Sequence, residues 1–185
     1  MGDNNYPPGD FAGRVGETIG PLNLVPPDEG RGFSDIFKNS GVQDCTFNDI
    51  WEESYLHSEN GWDANKKTAR NKYNRLTLCA GGGPAVYLKD GFCDNEVNGV
   101  TIKSYAKHSD WYEGDYSSTG GARNRGNTYS GVHRADGKAV RVAWTFFRAE
   151  RPKFKDSGPI RYQWGWSLVR TIYVELKYLF PKLIP

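Results

Sequence analysis

Val97-Asn98-Gly99-Val100-Thr101-Ile102 is the clearest statement of a six-residue phrase that recurs along the chain. Tyr73-Asn74-Arg75-Leu76-Thr77-Leu78 and Tyr129-Ser130-Gly131-Val132-His133-Arg134 repeat it, and Val42-Gln43-Asp44-Cys45-Thr46-Phe47 reads as a first copy. In each, one apolar residue follows another three places later. The copies begin at residues 42, 73, 97 and 129, and self-similarity at such spacing marks the stacking of one supersecondary unit. A second phrase trails each copy: Ser54 to Ser58, Ala85 to Lys89, Ser109 to Tyr112 and Ala139 to Trp144.

The phrases are rich in Val, Ile, Tyr, Trp and Thr, they alternate, and Gly, Asn and Asp bound them, so they read as strands. They are too short for the three-four spacing of an amphipathic helix. Short strands repeated coil after coil describe an all-β fold, a right-handed parallel β-helix of about four coils; the alternative is an antiparallel sandwich. Equivalent positions then stack in columns. Cys45, Leu76, Val100 and Val132 fall in one, and Phe47, Leu78 and Ile102 in the next. No coil buries its apolar face alone, so the columns make the domain fold.

At 185 residues the chain suits one domain. A net charge of +2 argues against a nucleic-acid protein. Aromatic residues make up 14% with six Trp, which suggests aromatic contact surfaces as well as core. Cys45, Cys79 and Cys93 are odd in number and lack metal-ligand spacing; reduced thiols and synthesis in a cytoplasm are expected. The N-terminus is polar and lacks a signal-peptide pattern, and no stretch is long and apolar enough to span a bilayer.

Residues 1–32 are broken by Pro7-Pro8-Gly9, Gly20-Pro21, Pro26-Pro27 and Gly30-Arg31-Gly32, and are expected as an extended arm. The β-helix is expected over 33–147. Residues 59–72 and 113–128 read as long polar loops leaving the same corner, each with an Ala-Arg-Asn-basic tetrad (Ala69 to Lys72, Ala122 to Arg125). Residues 148–185 are expected as a basic and aromatic capping or docking segment. Within it Leu168, Val169, Ile172, Leu176, Leu179 and Phe180 fall near one face at helical spacing.

Acidic residues sit at Asp63, Asp90, Asp94, Glu113 and Asp115, spread over turns and loops, where Asp suits the corners of any solenoid. His57, His108 and His133 are well separated and make no triad spacing. No catalytic residue, metal ligand or cofactor site is therefore assigned. Trp62, Trp111, Tyr112 and Tyr116, expected at the surface, suit stacking on a sugar or a partner. The candidate partner-binding residues are Phe11, Leu22 and Leu24 on the arm; Trp62, Arg70, Trp111, Tyr112, Arg123 and Arg125 on the loop face; and Trp164 and Trp166 on the tail.

Asn98 to Ile102, Ala85 to Gly91 and Asp136 to Val142, followed by an aromatic, basic tail, resemble small phage-encoded right-handed β-helix proteins over roughly residues 33 to 180. The chain also resembles, more distantly, the pectin-lyase-like superfamily, without the Asn-x-Asp, Asp-Asp and His-Gly patterns of its polygalacturonase branch. The resemblance implies a non-enzymatic virion protein made in the host cytoplasm: a capsid decoration (cement) or tail-associated module, sometimes trimeric, touching capsid or tail proteins. The rival expectation is a carbohydrate-active β-helix that binds or cleaves an acidic glycan.

Overall fold

The computed structural model describes residues 9–24, 35–52, 60–79, 83–103, 109–114, 122–146, 148–163 and 176. Two parallel sheets share the strands. The first runs, in spatial order, through β1 (Gly9–Asp10), β4 (Asp35–Ser40), β6 (Asn60–Asn65), β8 (Val86–Leu88), β10 (Trp111–Glu113), β12 (Val140–Trp144) and β14 (Ile160–Tyr162). The second contains β2 (Thr18–Ile19) and β3 (Leu22–Leu24), then β5 (Thr46–Glu52), β7 (Lys72–Leu78), β9 (Glu96–Ile102), β11 (Thr128–Arg134) and β13 (Phe154–Lys155). The chain alternates between the sheets and every pairing is parallel, which makes a β-solenoid of about five turns.

The three-residue spacing inside the phrase has a backbone cause. A flat strand alternates with a period of two, so Tyr73 and Leu76 would face opposite sides. One extra left-handed residue between them restores the same facing, as a bulge does. Asp49, Arg75, Gly99 and Gly131 supply it at φ 54°, 58°, 74° and 62° in successive coils. Phe47, Tyr73, Val97 and Tyr129 consequently stack in one buried column, with Ile50, Leu76, Val100 and Val132 in the next.

Aromatic rings fill the interior near the first turns. Phe47 stacks on Tyr73 with centroids 5.0 Å apart, and Trp62 from the opposite sheet lies 4.6 Å from Tyr73. Phe11 packs edge-on against Phe37 (5.7 Å) and Phe47 (5.4 Å).

A second device is polar. Asn71, Asn95 and Asn127 occupy equivalent corners, and each carboxamide oxygen accepts the backbone N–H one coil back: Cys45 N to Asn71 (2.9 Å), Asn71 N to Asn95 (3.0 Å) and Asn95 N to Asn127 (3.0 Å). Their amide groups donate to the carbonyls of Val42, Thr68 and Phe92. Cys45 heads this ladder with sulfur in place of the amide, since Glu17 N donates to its Sγ at 3.4 Å.

The structure corrects the sequence reading in four places. The first copy of the phrase is displaced by five residues: Phe47, not Val42, aligns with Tyr73, so Cys45 stands at the asparagine corner and Phe47 beside Tyr73 rather than Leu78. Residues 59–72 contain β6, whose six residues are all buried, and residues 113–128 include the end of β10 and the start of β11. The two tetrads are not equivalent, because Ala69 aligns with Cys93 and then Arg125. Finally, pairing begins before residue 33 and continues past 147. β1, β2 and β3 lie on β4 and β5, and Ile19 and Leu22 pack on the core with buried Leu24; β13 and β14 extend the far end. Proline and glycine break helices, but they do not prevent strands of two or three residues. Beyond residue 163, Leu176 alone is described; it is helical and exposed.

Candidate functional site

Trp62 and Trp111, expected at the surface, are fully enclosed. Both point inward from the first sheet, and their indole N–H groups are satisfied internally, Trp62 by Asn39 Oδ1 (2.8 Å) and Trp111 by Glu113 Oε1 (3.0 Å). Tyr112 is also buried. It packs edge-on with Tyr87 at 5.4 Å, and its hydroxyl meets Thr145 Oγ1 at 2.6 Å. Phe11, Leu22 and Leu24 contribute to the core, so these side chains are occupied within the chain. Trp164, Trp166, Tyr116, Asp115, His57 and His108 lie outside the described residues. His133 is exposed beside Thr101 (3.1 Å).

Several charges on the solenoid are matched from coil to coil. Arg70 forks onto Asp44 (2.8 and 2.7 Å) and Arg75 onto Asp49 (2.6 and 2.7 Å). The guanidinium bonds hold both carboxyl groups below their usual range. Asp110, fully buried, accepts from Arg134 (3.1 Å) and from Arg141 Nη2 (2.7 Å) and N (2.9 Å). Asp136 accepts two bonds from Arg134 and is held at about 2, chiefly by them.

Three carboxyl groups behave differently because they are buried. Glu52 takes an inward position beside Leu24 and accepts Cys79 N at 2.8 Å; burial pushes it well above the ordinary range, and the charge of Asp35 adds to that. Asp63 rises to about 6 through burial and Asp35, although Lys89 is bonded to it at 2.7 Å. Glu113 rises to about 7, and burial is again the main cause. Sequence reading noted Asp63 and Glu113 only as loop acids and missed Glu52. The register that places Glu52 in the core would have found it.

Glu113 forms part of a cavity of about 450 Å³ near one end of the solenoid. It follows Ala64 and Leu88 in the inward column of the first sheet, so a carboxyl group stands where apolar atoms filled the preceding coils. Tyr129 lines the same cavity, and its buried hydroxyl lies near the Glu113 carboxyl without closing a hydrogen bond. Burial and then the Glu113 charge push Tyr129 well above the usual phenol range. Asn124 and Asn127 also border the space, but their amides are spent on backbone: Asn124 accepts Gly91 N and Phe92 N and donates to Leu88 O. Arg123, Arg125, Arg151, Lys153 and Glu150 complete the polar lining, and Glu150 accepts Gly126 N at 3.1 Å. The structure thus brings Arg123 and Arg125 together at this cavity and leaves Arg70 elsewhere, in its pair with Asp44.

Fold and site define a parallel β-solenoid with a polar, cation-lined cavity among its described residues. Comparison with protein-family models, curated proteins and solved structures returned no match. Among the described residues, no three His, Cys, Asp or Glu side chains are grouped to hold a metal ion, and no helix is long and apolar enough to cross a membrane.

Proposed function

We propose that the chain is a non-enzymatic structural component of a virion, a capsid decoration or tail-associated protein that docks as a rigid solenoid onto another protein of the particle. The observation that carries this reading is the outward face of the second sheet. Asn74 donates to Asn48 (2.9 Å), Asn98 to Asn74 (3.3 Å) and Ser130 to Asn98 (2.7 Å), so a side-chain ladder runs unbroken across four strands. Trp51, 45% exposed, lies on the same face beneath the Lys103 ammonium at 3.4 Å. Side chains already locked together lose little freedom on binding, and this preorganisation favours attachment. Aromatic residues set in a polar surround also suit the centre of an interface.

The test is particle incorporation of a Trp51→Ala, Thr101→Arg double variant. Both positions face outward, so circular dichroism and the melting temperature should be unchanged while incorporation is lost. Incorporation at the wild-type level would refute docking through this face.

A further inference from the structure

We propose that the cavity between β10 and the β13 region binds a small ligand through an oxyanion, a carboxylate or a phosphate, held by Arg123, Arg125 and Arg151. This goes beyond the docking role, which uses the outward face of the second sheet.

The first support is a contrast in charge pairing. Arg14, Arg70, Arg75, Arg134 and Arg141 each have a carboxylate partner. Arg123, Arg125, Arg151 and Lys153 line the cavity and form no ion pair with any described residue. The other acid among the lining groups, Glu150, already accepts Gly126 N. Burial keeps Glu113 protonated up to about pH 7, so below that pH the cavity holds four cations against one carboxylate. Clustered unpaired cations repel one another, and an anion relieves that repulsion.

Geometry is the second support. Arg151 is stacked over Tyr162 (4.1 Å) and reaches Trp144 (5.6 Å), so ring contacts fix its plane while the edge N–H groups stay available. Guanidinium forks match carboxylate and phosphate oxygens in pairs, which a lysine ammonium cannot do. A space of about 450 Å³ lies within the range of small-molecule sites. At its inner wall Tyr129 keeps a buried hydroxyl without a hydrogen-bond partner, a group that a solvated ligand would satisfy. Nothing in a purely structural corner requires these features together.

The experiment is calorimetric titration of the full chain at about pH 6 and low ionic strength, with inorganic phosphate, glucuronate and glucose in separate arms. Binding of phosphate or glucuronate, and not of glucose, is expected, and the stronger of the two anions identifies the ligand chemistry. Arg123→Gln with Arg125→Gln should weaken that binding at least tenfold, whereas Arg70→Gln should leave it unchanged. Both substitutions are at exposed residues, so folding is preserved, and circular dichroism checks it. Failure of both anions to bind, equal binding of glucose, or an equal loss in the Arg70→Gln protein would each overturn the proposal.

Discussion

Replacing Glu113 by Gln tests the buried carboxyl group through the pH dependence of folding. Burial raises Glu113 from an ordinary 4.5 to about 7. Between those values the folded protein retains a proton that the unfolded chain has released. The native state binds more protons there, so stability falls as pH rises through the window and levels off above about 7. The span of about 2.5 pH units at about 1.4 kcal/mol each amounts to roughly 3 kcal/mol. Gln has the same shape, and its carbonyl can still accept Trp111 Nε1, but it cannot ionise. The variant should therefore match the wild type near pH 4 and exceed it by about 3 kcal/mol near pH 8. Urea denaturation across this range measures the difference, in which Glu52 and Asp63 cancel because both proteins carry them. A constant offset between the two curves at all pH values would show that Glu113 ionises as freely in the folded state as in the unfolded, and the account of the cavity wall would fail.

Asn95→Ala removes the acceptor for Asn71 N and Nδ2 in a buried corner, and should cost about 3 kcal/mol in urea denaturation. The outward Asn98→Ala should cost much less. Asp110→Ala removes a buried carboxylate that accepts from both Arg134 and Arg141 and should cost about 3 kcal/mol, read as a fall in melting temperature. Gly61→Ala should be destabilising on the order of 3 kcal/mol, because a Cβ there would meet the Cys79 and Ala85 carbonyls and the Glu52 carboxylate at under 3.0 Å. A soluble Gly61→Ala protein of wild-type melting temperature would show that the two sheets can spread at this point.

The architecture was legible because three copies of the phrase keep one register. Tyr73, Val97 and Tyr129 align as their sequences suggest, and so do Leu76, Val100 and Val132. The first copy misled because Val42 and Cys45 imitate the spacing of Phe47 and Ile50, while the asparagine that would have exposed the shift is replaced by Cys45 itself. The N-terminal strands were hidden by prolines and by strand lengths of two or three residues, too short for any alternation to register. Trp62 and Trp111 were misjudged for a physical reason. Trp62 stands in a polar segment that reads as a loop and Trp111 in a strand phrase beside another, yet Asn39, Asn60, Asp63 and Glu113 are themselves buried and bonded. The cavity could not be read at all, because it depends on Glu113, Tyr129 and Glu150 meeting across three coils.

The asparagine ladders fix the phase of every coil but not its length. Successive rungs at Asn48, Asn74, Asn98 and Ser130 are separated by 26, 24 and 32 residues, yet they meet with the same kind of contact. The surplus falls between β10 and β11 and leaves the pairing of β11 with β9 intact. A coil of this protein is therefore a clasp with an adjustable strap. Foreign sequence spliced between Gly114 and Ala122 would lengthen the strap without disturbing the clasp, and the solenoid could carry a grafted epitope or a second domain at that corner. Over evolutionary time the same freedom lets one corner vary in length and chemistry while the rungs on either side keep the fold.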